Sequence, residues 1–215
     1  SDVYKRQIVS SAMVDALAEE YGFELRRCLT GFKYIGDIIT GLSDAGEVDR
    51  FIFGFEESYG YLSGDHVRDK DAVNASMLIC QMAQYYKLQG KNLVQAMRAL
   101  YEKHGFYHNK TVSLSYPGAD GAAKMAGIMA GLRVEAPAEI AGAKVEAVVD
   151  YATCVNGLPK ADVIEFDLEG GNKAIVRPSG TEPKIKLYIF AKGEDAAAAD
   201  ALIGAIEEDG RKLLS

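Results

Sequence analysis

The chain has 215 residues, room for one large domain or two smaller ones at roughly 100–200 residues per domain. Hydrophobic residues make up 48% and charged residues 26%, with a mean hydropathy of -0.06. That balance belongs to a globular chain and excludes a disordered or collagen-like one. A net charge of -7, from 24 basic and 31 acidic residues, argues against a general binder of nucleic acid or anionic membranes, so any cationic site must be local.

No apolar run approaches the roughly 18 residues of a membrane helix, and Ser1–Gln7 lacks the apolar core of a signal peptide, so the expected location is the cytoplasm. Cys28, Cys80 and Cys154 are odd in number, far apart and without C-x-x-C spacing. They read as reduced thiols, with neither a disulfide framework nor a zinc site. His104 and His108 have the spacing of a helical metal pair, but Gly105 between them is expected to end the helix, and no metal site is expected here.

In chain order, Ile8-Val9 reads as a strand running into an amphipathic helix with Met13, Val14, Leu17 and Tyr21 on one face, stopped by Gly22. Phe23–Leu25 is a short strand. Thr30-Gly31 opens a helical stretch with Ile35, Ile38, Ile39 and Leu42 at helical spacing, and Arg50–Phe55 is a buried strand. This β-α-β-α-β alternation predicts an α/β domain with a parallel or mixed sheet and helices on both faces, with ligands beyond the carboxyl ends of the strands. Asp69–Leu88 is apolar nearly all round and is expected to lie between layers as core. Asn92 and Gln95 form a capping box ahead of the next helix, which runs to Gly105.

Beyond that glycine the rhythm changes. Thr111–Tyr116 is strand-like, Gly121–Leu132 helical, and four further strands follow at Lys144–Tyr151, Asp162–Leu168, Lys173–Arg177 and Lys184–Phe190. Alternation in the last strands predicts one wet sheet face. Glu169–Asn172 reads as a hairpin turn and Glu194–Leu214 as a closing helix. This predicts an α+β domain, an antiparallel sheet covered by two helices. The domains are expected at 1–106 and 111–215, with residues 107–110 as the link.

Three segments carry chemistry. Arg177-Pro178-Ser179-Gly180-Thr181-Glu182-Pro183-Lys184 is too elaborate for a two-residue hairpin. A phosphate needs a planar bidentate cation, hydroxyl donors and backbone N–H groups, which Arg177, Ser179, Thr181 and Gly180 supply. Lys173, Arg177, Lys184, Lys186 and Lys192 face only Glu182 across this stretch, a local excess of cations; the competing reading is a polar hairpin with solvated lysines. Gly54-Phe55-Glu56-Glu57-Ser58-Tyr59-Gly60-Tyr61 follows a buried strand. Its carboxylates and Ser58 suit vicinal hydroxyls and its tyrosines an apolar sugar face, unless Glu56 and Glu57 merely favour the N-terminus of a following helix. In Gly64–Asp71, Lys70 or His66 has the chemistry to transfer a proton or neutralise an anion, the competing reading being a structural histidine. Lys33 can meet an anion from a helix start, the competing reading being a solvated lysine.

At these residues the sequence resembles the α-D-phosphohexomutases, the family of phosphoglucomutase and phosphomannomutase. RPSGTEPK at 177–184 is similar to the phosphate-binding loop of the family's last domain and GFEES at 54–58 to the sugar-binding loop of its third. TGFK at 30–33 and DHVRDKD at 65–71 are similar to segments of glucose-type members, and the likeness runs from about Ile8 to the end. Residues 1–7 fit poorly and are set apart.

The resemblance implies isomerisation of a sugar phosphate through a bisphosphate intermediate by a four-domain enzyme using a phosphoserine and magnesium. No T-A-S-H-N-P serine and no D-G-D-G-D-R metal loop occurs, Gly118–Gly121 being the nearest string. The chain is therefore expected to be the third domain, short of its first strand, plus the fourth, inactive alone. The magnesium ligands and N-terminal domains lie elsewhere in the same polypeptide, and a glucose 1,6-bisphosphate-type activator is implied. Carried over residue by residue, Glu56 and Ser58 bind sugar hydroxyls, Arg177, Ser179, Gly180 and Thr181 bind the non-reacting phosphate, and Lys33, His66, Arg68 and Lys70 line the substrate cleft, Lys70 or His66 being the candidate acid or base. Glucose phosphates are the first substrate choice, then mannose phosphates, then pentose phosphates. The rival from another class is a stand-alone, non-catalytic phosphosugar-binding module.

Overall fold

A computed structural model of the chain describes residues 2–155 and 157–215. The chain divides into two compact units, Ser1–His104 and Gly105–Ser215.

The first unit contains β1 (Val3–Gln7), α1 (Met13–Tyr21), β2 (Glu24–Cys28), α2 (Lys33–Asp44), β3 (Phe51–Glu56), β4 (Gly60–Ser63), α3 (Ala72–Leu88) and α4 (Leu93–His104). Its sheet has the order β2-β1-β3-β4. β1 is parallel to both neighbours, and β4 returns antiparallel to β3. This is the mixed sheet the alternation predicts, because parallel neighbours need a helical crossover whereas β3 and β4 need only a tight turn. On one face Ile35, Ile39 and Leu42 of α2 pack with Val3, Phe51 and Leu62. On the other, Val14 and Leu17 of α1 line one open cleft with Tyr4 and Phe55, and Ala75, Leu78 and Met82 of α3 line another with Phe53 and Tyr61.

Two expectations for this unit are corrected. The strand expected at Ile8-Val9 is instead Val3–Gln7, formed by residues that the sequence reading set apart. The Ile8 N–H makes the last bond to the Cys28 carbonyl, and Ser10 then closes a turn on Gln7. As a result Lys5 and Gln7 lie fully buried in the centre of a parallel sheet, where apolar residues are the rule. The second correction concerns α3, which has no buried residue. Val73 and Leu88 are 82% and 78% exposed, because only one stripe of an all-round apolar helix meets the sheet.

The second unit contains β5 (Phe106–Ser115), α5 (Gly121–Val134), β6 (Glu139–Ile140), β7 (Ala143–Asp150), β8 (Ile164–Leu168), β9 (Asn172–Pro178), β10 (Lys184–Gly193) and α6 (Ala196–Leu213). The sheet order is β5-β10-β9-β8-β7-β6, antiparallel throughout. Met129 and Leu132 of α5 and Ile203 and Ile206 of α6 cover one face, over Phe166, Val176, Leu187 and Ile189. Asp195 caps α6 by accepting the Ala198 N–H at 2.7 Å.

Here too the structure departs from expectation. Residues 107–110 are not a link but part of β5, paired with Ile189–Lys192 of β10. A ten-residue strand holding polar His108, Asn109 and Lys110 does not show the strict alternation that would reveal it. The second sheet face is not simply wet either. Tyr151, Glu165, Ile175 and Tyr188 are all buried, and Glu165 accepts a 2.8 Å bond from the Tyr151 hydroxyl and pairs with Lys173. Alternate positions are polar in sequence, yet they are closed by pairing among themselves.

Candidate functional site

In the first unit the carboxyl ends of β1, β2 and β3 form one edge. Glu56, the last residue of β3, is held by Gln7 at the end of β1: the Gln7 side-chain amide donates to Glu56 Oε2 at 2.9 Å. Lys70 Nζ approaches Glu56 Oε1 at 3.9 Å and Asp69 at 3.1 Å, and lies 5.3 Å over the Phe32 ring. Gly60 makes this crowding possible, since a Cβ there would come within 2.6 Å of Glu56 Cγ, Glu56 Oε1 and Lys70 Cδ. Likewise the Arg68 carbonyl approaches Gly36 of α2 where a Cβ would stand 2.7 Å away.

No helix follows Glu56 and Glu57; the chain turns back into β4, which removes the reading of these carboxylates as helix-start residues. At the tip Ser58 is exposed and Tyr59 adopts φ 64°, a left-handed conformation that costs a non-glycine residue energy and clusters at functional loops.

Asp71 caps α3 by accepting the Asn74 N–H at 2.9 Å and bonds His66 Nε2 at 2.7 Å. The Asn74 N–H first, and then His66, hold its carboxyl below the usual range. Arg68 donates to the carbonyls of Asp65 and Val67 in its own loop. Lys33, exposed at the first position of α2, stacks its ammonium over the Tyr34 ring at 4.9 Å. Among the described residues the oxygens Gln7 Oε1, Ser10 Oγ and Thr30 Oγ1 are buried without a hydrogen-bond partner.

In the second unit the phosphate-loop candidates join β9 to β10. Ser179 Oγ accepts the N–H groups of Thr181 and Glu182 at 3.4 and 3.3 Å, and the Ser179 N–H donates to the Lys184 carbonyl at 2.8 Å. The loop's Pro183 carbonyl accepts from the Tyr116 N–H, beyond the loop, at 2.8 Å. Gly180 and Thr181 are exposed. Arg177, half-buried, donates to the Tyr188 hydroxyl at 3.3 Å, and among the described residues no carboxylate pairs with it.

The linear charge count overstates the local cation. Lys173 is spent on Glu165 and Asp167, Lys184 pairs with Glu182, and Lys192 lies over the Tyr107 ring. Among the described residues Arg177 and Lys186 are left without carboxylate pairing.

Profiles of two domains match the chain: the alpha/beta/alpha domain III of phosphoglucomutase/phosphomannomutase over residues 3–104, and the C-terminal domain of the same enzymes over residues 129–206. The chain belongs to the phosphoglucomutase/phosphomannomutase family. A probable phosphomannomutase of Haemophilus influenzae is 36% identical over 208 residues, 96% of this chain and 40% of its own length. A phosphoglucomutase of Staphylococcus aureus (strain bovine RF122 / ET3-1) is 41% identical over 199 residues, 87% of this chain and 35% of its own. The chain thus spans about two fifths or less of the curated relatives it matches. In fold it is similar to the open form of parafusin, a phosphoglucomutase from Paramecium, with a TM-score of 0.72 at 20% identity over 98% of this chain and 37% of that one.

Within this family frame, the structure brings Glu56 and Lys70 together, sets His66 against the α3 cap, and leaves Ser58, Lys33 and Arg68 exposed at the same unit's surface. Sequence reasoning missed Gln7 and Tyr188. Gln7 lay in the segment set apart, and Tyr188 stood at an alternate position of a face read as wet. His104 and His108 fall in different units and pair with Glu20 and Asp200 respectively. Among the described residues no group of three or more His, Cys, Asp or Glu side chains is arranged to hold a metal, and no helix is long and apolar enough to cross a membrane.

Proposed function

We propose that this chain is the substrate-holding C-terminal half of an enzyme interconverting hexose 1-phosphate and hexose 6-phosphate through a bisphosphate intermediate. The first unit takes the sugar hydroxyls and the second the phosphate that does not react. The observation that carries the reading is Arg177, a half-buried guanidinium at a strand end beside a loop pinned by Ser179, with no carboxylate competing for it among the described residues. Such a fork matches two phosphate oxygens, with the Ser179 and Thr181 hydroxyls and the Gly180 backbone as further donors.

For the sugar, the Glu56 carboxylate held by Gln7 accepts from vicinal hydroxyls, Ser58 adds a hydroxyl, and buried oxygens without partners stand at the same sheet edge. Lys33 and Arg68 add positive charge to the first unit's surface. Lys70 and His66 are the candidates for moving a hydroxyl proton. Lys70 stands beside Glu56, whereas His66 is engaged by the α3 cap. The family implies magnesium and a phosphorylated serine. The described residues offer no metal cluster and the sequence has no serine in the family's context, so no step here runs through either. Binding and orientation are what these residues supply, and by themselves they leave phosphoryl transfer uncatalysed.

The test is a calorimetric titration with glucose 6-phosphate, mannose 6-phosphate and unphosphorylated glucose. Arg177→Ala is expected to weaken both phosphates by roughly tenfold to a hundredfold, the loss of a charge-assisted bond, with Arg177→Lys recovering part. Equal affinity of wild type and Arg177→Ala for the phosphates would overturn the assignment.

A further inference from the structure

We infer that Tyr188 is a positioning residue for the phosphate site: its hydroxyl fixes the Arg177 guanidinium in register before ligand arrives. The inference rests on the proposed role of Arg177 and adds the residue that sets its geometry.

Tyr188 sits mid-strand in β10, paired with Ile175 of β9 and Thr111 of β5. Arg177 pairs with Lys186, two residues away on the same face of β10. The two side chains are thus diagonal neighbours, a relation within reach of long side chains. Tyr188 is 2% exposed, and a phenol that deeply buried needs a partner for its hydroxyl. Arg177 provides one, donating at 3.3 Å.

The choice of partner matters chemically. A guanidinium on a flexible stem carries rotamer entropy that must be lost when it grips an anion. A fixed acceptor removes part of that loss in advance. A carboxylate would orient the arginine equally well but would also cancel its charge and compete with the phosphate. A phenol oxygen is neutral, so it takes one of five N–H donors and leaves the charge and the remaining fork free. The neighbouring cations Lys173 and Lys184 are each held by carboxylates, whereas Arg177 is held by a hydroxyl.

The experiment is a double-mutant cycle on the intact chain, with Tyr188→Phe, Arg177→Ala and the pair, titrated with glucose 6-phosphate and with unphosphorylated glucose. Tyr188→Phe keeps the ring and is expected to weaken the phosphate ligand by roughly threefold to tenfold, the scale of one neutral hydrogen bond. Glucose should bind unchanged, and the effect should vanish in the Arg177→Ala background. Tyr188→Phe binding like wild type while Arg177→Ala loses affinity overturns the positioning role alone; additive effects do the same. If Arg177→Ala is itself silent, both the role and the phosphate assignment fall. A second measurement needs no variant at Tyr188: in the unliganded wild type, the Arg177 side-chain Nε–H should show NMR order close to the backbone. Free rotation there would overturn the inference even if Tyr188→Phe did not fold.

Discussion

The Lys70 ammonium stands 3.9 Å from the Glu56 carboxylate, close enough for attraction yet too far for a hydrogen bond. Glu56 is already bonded to Gln7 on its other oxygen, and Lys70 already meets Asp69 and the Phe32 ring. The carboxylate is therefore oriented by a neutral amide and only lightly drawn by a cation. That leaves Oε1 able to accept a further hydrogen bond, with the Lys70 ammonium just beyond it.

Gly60 protects this spacing. Gly60→Ala is expected to displace Glu56 and Lys70 and to lower stability by about 1–3 kcal/mol, the usual cost of overpacking, with weaker binding of glucose 6-phosphate. Urea unfolding and calorimetry on the same samples check both. A variant as stable and as tight as wild type would show that Glu56 and Lys70 move aside without consequence.

Alkaline pH should act on the core of the first unit through two opposed groups. Burial lowers Lys5 from 10.5 to about 8, and burial raises Cys28 from 9.0 to about 11. Between about 8 and 9 the unfolded chain holds the Lys5 proton that the folded one has lost, so stability rises with pH, by at most ~1.4 kcal/mol per unit. From 9 to 10.5 the unfolded chain still holds that proton but has lost the Cys28 proton that the folded chain keeps. The two effects cancel and the curve is flat, falling only above 10.5. Cys28→Ala should extend the rise to about 10.5, and Lys5→Met should remove the rise and leave a decline from about 9. Urea unfolding against pH, followed at first-unit amides by NMR, reads these shapes.

Lys173 joins Glu165 and Asp167 on the second face of the second sheet. Burial by itself would lower its pKa, but the two carboxylates more than offset that and hold it above the usual value. Lys173→Met removes the cation and strands the buried Glu165 charge, at an expected cost of ~3–5 kcal/mol. Lys173→Met combined with Glu165→Gln should recover much of this, because the stranded charge is gone. Thermal denaturation of the two variants separates a buried ion pair from a solvated lysine, for which neither change would matter.

Limited trypsin digestion should cut first after Lys160, which is exposed in an irregular segment, and not after Lys110, whose backbone is paired with Ile189 inside β5. Mass spectrometry of the earliest products decides between them.

What the sequence revealed was local. The Asn92–Gln95 box is present with both reciprocal bonds, at 2.8 and 2.9 Å, because its partners are three residues apart. β8 and β10 were legible because apolar residues alternate there, at Ile164, Phe166 and Leu168 and at Ile185, Leu187 and Ile189. β1 was not, since Tyr4-Lys5-Arg6-Gln7 shows no apolar run and only its two parallel neighbours make it a strand. α3 misled in the opposite sense: an apolar sequence states a capacity for burial, while the number of faces covered is decided by what lies beside the helix. In the sites, loop residues were legible by type, whereas Gln7 and Tyr188, which orient Glu56 and Arg177, act across strands distant in sequence and left no local signal.

The edge strand β5 carries a consequence for the order in which the protein is made. Its partner is β10, with Phe106 opposite Gly193 and Ser115 opposite Lys184, so a ribosome must release nearly the whole second unit before β5 finds its neighbour. The first sheet is complete by Ser63 and closes while the rest is still being synthesised. During that interval the backbone of β5 stands unpaired, and its run of His108, Asn109 and Lys110 is the kind of polar and charged edge that discourages pairing with another nascent chain.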